Sequence, residues 1–311
     1  MKLGLRLPQR LGVDLQHDLV EAARTAEAAG YASLWTYERL LFPETPAEPY
    51  APPDVPWPET QRQAADPLAV LTAAAVATEQ VRLGTSLLIA ALHTPVQLAK
   101  ALATIDQISG GRLIAGMGAG WSSDEFRATG TTRADRGRFL DETLDVFDAV
   151  WGPDPVSYRG PRVVIDNASV LPKPVSRIPV LLGGGGSARA LQRIAERADG
   201  WLSFLTRPGP EGAAELHASW DRIREMASEY GRDASRMEMV VVGNVTFTDR
   251  PAGPDRSPFV GTLDQIMDDI HTAAEAGAHE LIVDLNLQDW FSSTPQMLET
   301  AVEIRERTAL S

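Results

Sequence analysis

Short apolar runs alternate along the chain with longer segments whose apolar residues recur at helical spacing. The apolar runs predict strands at residues 3–7, 33–36, 81–89, 112–117, 178–182, 200–204, 237–247 and 279–285. The segments that follow them predict helices at residues 14–29, 67–78, 95–108, 133–151, 188–197, 210–230, 262–276 and 294–307. Because strands that alternate with helices form parallel sheets, these units predict a closed (β/α)8 TIM barrel, with an open doubly wound sheet as the alternative.

A proline-rich segment interrupts this alternation after the second predicted strand. Residues 40–63 contain seven prolines, so they cannot form a helix or a central strand. A loop of this length is usually either functional or disordered. Phe42, Tyr50 and Trp57 supply apolar surface for packing, and we therefore predict an ordered lid over the C-terminal mouth of the barrel.

A second interruption lies before the fifth predicted strand. Residues 157–174 are expected to form a small excursion with short strands at 163–165 and 169–171. Nothing along the chain has the composition of an interdomain linker, so residues 1–311 are expected to form a single domain.

Composition and charge narrow the range of partners. The chain has 42 acidic and 29 basic residues and a formal charge of −13, which disfavours nucleic acid and anionic membrane surfaces. It has no cysteine, and its five histidines lack the spacing of metal ligands, so no metal site is predicted. Without an apolar run of about 18 residues or a signal-like start, we expect a cytoplasmic protein that acts on a small molecule.

Glycines and small residues cluster where three predicted strands end. These clusters are residues 84–86, residues 116–120 and residues 183–187. Ligands of parallel barrels meet the loops that follow the strands. The run Gly183 to Gly186 leads through Ser187 into a helix, which predicts a site for a phosphate of a cofactor or substrate. The alternative for residues 84–86 is an interior barrel strand, and for residues 116–120 it is a tight turn. For residues 183–187 the alternative is a flexible turn that binds nothing.

Charged residues follow the second predicted strand. Glu38 lies where its carboxylate can face the mouth of the barrel, and Arg39 comes next. In the functional interpretation, both side chains belong to a binding or catalytic site at the mouth. The alternative is a surface ion pair between the two side chains, which contributes little to stability.

Motifs that are weak one by one occur in a specific order over nearly the whole chain. They are residues 30–35 (GYASLW), 84–86 (GTS), 109–113 (SGGRL), 116–121 (GMGAGW), 125–126 (EF), 136–137 (RG), 141–142 (DE), 179–184 (PVLLGG) and 198–201 (ADGW). In this order they resemble the bacterial luciferase-like superfamily, and within it the coenzyme F420-dependent oxidoreductases.

The resemblance implies a (β/α)8 barrel with a deazaflavin or flavin in its mouth. It implies a non-prolyl cis peptide bond between Ser86 and Leu87, behind the cofactor ring. It also implies cofactor contacts from the backbone along two loops. These contacts are made by Gly118, Ala119 and Gly120, and for the cofactor tail by Gly183, Gly184, Gly185, Gly186 and Ser187.

One departure from the family pattern concerns the residues after the second strand. Similar F420-dependent sugar-phosphate dehydrogenases have an Asp-His pair there, in which the histidine handles the substrate proton. Here the pair is Glu38-Arg39, and arginine is a poor general base, which argues against an alcohol-oxidising role of that kind. Our hypothesis is that Glu38 hydrogen-bonds the cofactor ring and that Arg39 holds an anionic or carbonyl oxygen of the substrate.

The favoured function is hydride transfer between coenzyme F420 and a small organic substrate. One alternative is an FMN-dependent luciferase-like monooxygenase. Another, of a different class, is a flavin-binding protein without catalysis. Dimers are common in the family, so a homodimer is one possibility, and the sequence leaves the oligomeric state open.

Overall fold

A computed structural model describes residues 1–50 and 55–310. Its main sheet is a ring of parallel strands. They are β1 (Lys2–Arg6), β2 (Ser33–Thr36), β3 (Arg82–Thr85), β4 (Leu113–Gly118), β5 (Val180–Gly183), β6 (Gly200–Ser203), β7 (Glu238–Asn244) and β8 (Glu280–Asp284). The strands pair in the order β3-β2-β1-β8-β7-β6-β5-β4, and β3 also pairs with β4. This last pairing closes the barrel, so the prediction is confirmed and the open sheet is excluded.

Helices cover the outside of the ring. They are α1 (Asp18–Ala28), α2 (Pro67–Ala77), α3 (Pro95–Ser109), α4 (Arg136–Trp151), α5 (Ala188–Arg197), α6 (Gly209–Glu229), α7 (Leu263–Glu275) and α8 (Thr294–Leu310). Asp66 precedes Pro67, the first residue of α2, a pattern that predicts a helix N-cap. Its carboxylate accepts from the backbone N–H groups of Leu68 and Ala69 at 3.0 and 2.9 Å. Within the described part of the chain, no helix has both the length and the apolar character needed to cross a bilayer.

Three predicted strands differ from the structure. The third is divided, because a short strand at Leu88–Ile89 follows β3 only after the Ser86–Leu87 bond. The seventh ends earlier, because Thr246–Phe247 pairs with Val260–Gly261 outside the barrel. The strand predicted at 169–171 is wrong: Val164–Ala168 pairs instead with Val156–Arg159, where no strand was predicted.

The barrel interior is packed around one indole ring. Trp35 is fully buried and lies among apolar side chains from the surrounding strands, which are Ile114, Leu181, Leu202, Val240, Val242 and Ile282. A Cβ atom at Gly84 would lie 2.3 Å from this ring, and one at Gly4 would lie 2.6 Å from its nitrogen. Glycine at these positions therefore leaves the space that the indole fills.

Candidate active site

A cavity of about 380 Å³ opens at the C-terminal ends of the barrel strands. Its wall contains both predicted catalytic residues and seven of the predicted cofactor residues: Glu38, Arg39, Ser86, Leu87, Gly118, Ala119, Gly120, Gly183 and Gly184. Among the residues that the structure describes, Gly185, Gly186 and Ser187 are not part of this wall. The fold thus brings the ends of β3, β4 and β5 together around one space, of a size typical of small-molecule sites.

Bare backbone from two strands meets one side chain in this wall. A Cβ atom on Gly118 would lie 2.6 Å from Leu87 Cδ1, and one on Gly183 would lie 2.1 Å from Leu87 Cδ2. The Ser86–Leu87 peptide bond is cis, as the resemblance implied. Glycine at both positions therefore leaves the space that the Leu87 side chain fills. Leu87, with Ala119 and Gly120, lines the cavity where a flavin-like ring would fit.

Arg6 holds the backbone of Ser86 from inside the barrel. Its Nη2 donates to the carbonyl oxygen of Ser86 at 2.8 Å and to Ser86 Oγ at 2.9 Å. Its Nη1 pairs with Asp284 Oδ2 at 2.5 Å, and Asp284 Oδ1 accepts from the N–H groups of Asn286. Arg6 is absent from the predicted site residues, although a lone charge within the apolar run 3–7 was a usable signal.

Glu38 and Arg39 do not pair with each other, so the surface ion-pair interpretation is wrong. Glu38 Oε2 accepts from the backbone N–H of Ile89 at 2.6 Å, and its Oε1 lies 2.6 Å from His93 Nε2. Burial opposes charge on the His93 imidazole, but the hydrogen bond and the charge of Glu38 outweigh it and raise the pKa of His93. His93 lies behind Glu38, outside the cavity wall.

Arg39 lies in a cage of aromatic rings. Its guanidinium carbon is 4.9 Å from the ring centre of Trp57, 5.2 Å from that of Trp121 and 6.0 Å from that of Tyr50. Its Nη1 donates to the buried Glu125 Oε2 at 3.1 Å. Burial raises the pKa of the Glu125 carboxyl, while Arg39 opposes that rise. Aromatic faces and a carboxylate therefore already stabilise the charge of Arg39.

The lid contacts the short helix Ser123–Ala128, which follows β4. Glu125 Oε1 accepts from the backbone N–H of Leu40 at 2.8 Å, and Asp124 Oδ2 accepts from that of Ala47 at 2.9 Å. Trp57 is buried and packs edge-on against Phe42 and Tyr50, as predicted. Residues 51–54, with Pro52 and Pro53, lie outside the described residues.

The glycine run after β5 bends away from the cavity. Gly184 and Gly185 have φ values of +138° and +156°, which favour glycine. Trp201 Nε1 donates to the carbonyl oxygen of Gly184 at 2.5 Å. Ser187 caps α5 by accepting from the backbone N–H of Ala190, so its hydroxyl already has a partner. The phosphate site at this loop stays a prediction.

Comparisons with known proteins give a family match over most of the chain. A family model described as "Luciferase-like monooxygenase" matches residues 1–256. An uncharacterized protein of Mycobacterium tuberculosis is 34% identical over 185 residues, which cover 58% of this chain and 66% of that protein. The F420-dependent glucose-6-phosphate dehydrogenase of Amycolatopsis mediterranei is 28% identical over 235 residues, 70% of this chain and 66% of that enzyme.

Other relatives are named for different activities. The FMNH(2)-dependent dimethylsulfone monooxygenase of Pseudomonas putida is 33% identical over 141 residues, 44% of this chain and 38% of that enzyme. Among solved structures, an F420-dependent secondary alcohol dehydrogenase has a TM-score of 0.76 at 19% identity and covers 97% of both chains. Monooxygenase RslO1 from Streptomyces bottropensis has a TM-score of 0.77 at 20% identity, covering 97% of this chain and 98% of its own. These two likenesses concern the fold.

Proposed function

Because this chain belongs to the luciferase-like monooxygenase family, which has F420-dependent and FMN-dependent relatives, we propose that it is an F420-dependent oxidoreductase. The observation that carries the proposal is the backbone seat at the mouth: the ends of β3, β4 and β5 line one cavity, and Leu87 packs on Gly118 and Gly183. The bound deazaflavin would accept a hydride from a small organic substrate or donate one to it.

The chain's own residues would bind, orient and exclude water. Ser86, Leu87 and residues 118–120 would hold the ring, and Arg6 keeps Ser86 in place. Residues 183–187 would hold the cofactor tail. The lid would shield the space in front of the ring, so that the reacting groups meet in a fixed geometry without competing water.

The roles of Glu38 and Arg39 are sharpened by their partners. Oε2 of Glu38 accepts from the backbone N–H of Ile89, and Oε1 lies against His93, so both oxygens already have partners. Glu38 would therefore support the cavity wall beside the ring as well as face the cavity. Arg39 is neutralised by Glu125, and we therefore favour a carbonyl oxygen over an anionic one as its substrate contact.

A second candidate is an FMN-dependent monooxygenase. It is supported by the Pseudomonas putida relative, whose identity over its matched region is higher than that of the F420-dependent relative. The F420-dependent relative matches over more of this chain, 70% against 44%, and this longer match favours the deazaflavin. A binding protein without catalysis is disfavoured by the elaborate lid.

The test is titration of the purified protein with F420 and, separately, with FMN, followed by fluorescence. We expect F420 to bind more tightly. Preferential binding of FMN, with oxygen consumed when reduced FMN and substrate are supplied, would support the second candidate instead. Failure of both cofactors to bind would contradict both enzyme proposals.

A matched pair of glycine variants locates the binding site. Gly118→Ala would push a methyl group into Leu87, and we expect it to weaken F420 binding about tenfold, as a cost of about 1.4 kcal/mol does. Gly253→Ala is the control, because a Cβ atom there meets nothing within 4 Å. Equal affinities of the two variants would show that the cofactor binds elsewhere.

A further inference from the structure

Five residues of the cavity wall each have one buried polar atom without a hydrogen-bond partner among the described residues. Two of these atoms are Arg39 Nε and Asn244 Oδ1. The other three are the hydroxyl of Tyr37, Oε1 of Gln61 and Nε of Arg6. The three residues are 6%, 3% and 6% exposed. Buried polar atoms are almost always hydrogen-bonded, so three such atoms in the wall of one cavity indicate a place where a ligand supplies the partner.

Arg6 is the last residue of β1, Tyr37 follows β2 and Gln61 belongs to the lid. The guanidinium carbon of Arg6 is 5.6 Å from the ring centre of Tyr37. Burial is the largest influence on the pKa of Tyr37, and smaller ones come from nearby Asp284, Arg6, Tyr50 and Arg39. Gln61 in turn donates from Nε2 to Tyr50 Oη at 3.3 Å. Tyr50 therefore links Gln61 to the neighbourhood of Tyr37.

The chemistry of the three groups is complementary. Burial raises the pKa of the Tyr37 phenol well above its ordinary value, so its hydroxyl stays protonated and can donate a hydrogen bond. Arg6 Nε–H is a second donor, and Gln61 Oε1 is an acceptor. Two donors and one acceptor in the wall of one cavity suit a carbonyl oxygen that has an N–H or O–H group next to it.

The charges of the wall are already matched. Within the described part of the chain, each arginine of the wall has a carboxylate partner: Arg6 with Asp284, Arg39 with Glu125, and Arg193 with Asp141. Glu38 likewise faces His93. A charged substrate group beside these pairs would lose its hydration without gaining an unpaired opposite charge, so this part of the wall disfavours a carboxylate or phosphate on the substrate.

Apolar surface adjoins the polar groups. Tyr50 and Trp121 contact each other edge-on, with ring centres 5.8 Å apart, and both line the cavity together with Leu87 and Leu287. We propose that Tyr37, Gln61 and Arg6 form a substrate subsite for an uncharged carbonyl group, flanked by a hydrogen-bond donor, on an apolar or aromatic body. This inference rests on the proposed function, because it assigns the substrate side of the same cavity.

The test compares benzamide with benzoate, which has nearly the same shape but carries a negative charge. Binding to the wild type, saturated with whichever cofactor binds, is measured by ligand-observed NMR. We expect benzamide to bind at least about fivefold more tightly than benzoate, the effect of a single neutral hydrogen bond. Equal or tighter binding of benzoate, or no binding of benzamide, would overturn the subsite.

Two tyrosine variants assign the effect to the subsite. Tyr37→Phe should weaken benzamide binding about fivefold and leave cofactor affinity within about twofold. The control is Tyr31→Phe, because Tyr31 Oη donates to the carbonyl oxygen of Ala301 away from the cavity. Gln61→Leu is a second subsite variant with the same expected loss of benzamide binding.

The outcomes separate the two proposals. If a cofactor binds but the subsite variants bind benzamide like the wild type, the subsite is wrong and the proposed function stands. If neither F420 nor FMN binds the wild type, the proposed function fails, and the benzamide measurement on the protein alone still decides the subsite.

Discussion

The two ends of the barrel differ in whether their buried polar groups have hydrogen-bond partners. At the N-terminal end, Glu280 is fully buried and accepts from Ser33 Oγ, from Trp35 Nε1 at 2.9 Å and from Arg82 Nη2 at 2.7 Å. The second guanidinium nitrogen of Arg82 pairs with Glu238 at 2.9 Å. Among the described residues, none of these side-chain groups lacks a partner.

At the C-terminal end, several buried polar atoms have no hydrogen-bond partner among the described residues. Within the described part of the chain, five residues of the cavity wall each have one such atom: Arg6, Tyr37, Arg39, Gln61 and Asn244. Satisfied polar networks stabilise a fold, whereas unsatisfied groups lower its stability and favour a ligand. The comparison indicates that stability is concentrated at one end of the barrel and recognition at the other, as is general for this architecture.

The largest expected effect tests the N-terminal network. Glu280→Ala removes the acceptor of three donors and leaves Arg82 with one partner, so we expect the free energy of unfolding to fall by about 3–5 kcal/mol. Urea denaturation measures the change. Cofactor affinity of the folded variant should equal that of the wild type, and a clear loss of affinity would break the proposed division between the two ends.

A variant of the C-terminal network should have the reverse pattern. Arg6→Lys keeps a positive charge near Asp284, but an ammonium group cannot replace the fork that holds Asp284 and Ser86 together. We expect F420 affinity to fall about tenfold with less than about 1.4 kcal/mol of lost stability. Cofactor titration and urea denaturation of the same preparation check both. Unchanged affinity would show that Arg6 does not position the seat.

The two tyrosine variants give a smaller contrast in stability. Tyr31→Phe loses the hydrogen bond to Ala301 and should lower the free energy of unfolding by about 1 kcal/mol. Tyr37→Phe removes a hydroxyl without a partner and should change stability by less than about 0.5 kcal/mol. Thermal unfolding distinguishes the two, and a larger loss for Tyr37→Phe would reveal a partner for its hydroxyl within the protein.

The smallest expected effect depends on pH. The pKa of His93 is raised in the folded protein, so its contribution to stability is complete below the ordinary histidine pKa of about 6.5. This contribution disappears as the pH rises through the higher pKa of the folded state. His93→Gln should therefore cost more stability at pH 5.5 than at pH 8.5. The opposite trend in urea denaturation would show that Glu38 does not hold the imidazolium.

Much of the site could be predicted from local features. Glycine marks the ends of β4 and β5 in the sequence, because only bare backbone fits beside Leu87. The boundaries of α1 and α4 were less accurate, since each begins three or four residues after its predicted start. Residues 14–17, predicted as the start of α1, form a turn in which the His17 ring nitrogen Nδ1 lies 2.8 Å from Asp14 Oδ2. The spacing of apolar residues does not reveal this turn.

The sequence by itself determined the eight strand–helix units, because hydrophobic periodicity is a property of neighbouring residues. It also determined which strand ends carry glycine. Only the tertiary structure decided the partners of the charged residues: Glu38 meets His93, Arg39 meets Glu125 and Arg6 meets Asp284, across 55, 86 and 278 positions of the chain. The reason is that an ion pair depends on which strand ends become neighbours when the barrel closes and on which acceptor is nearest there, and no local pattern encodes either.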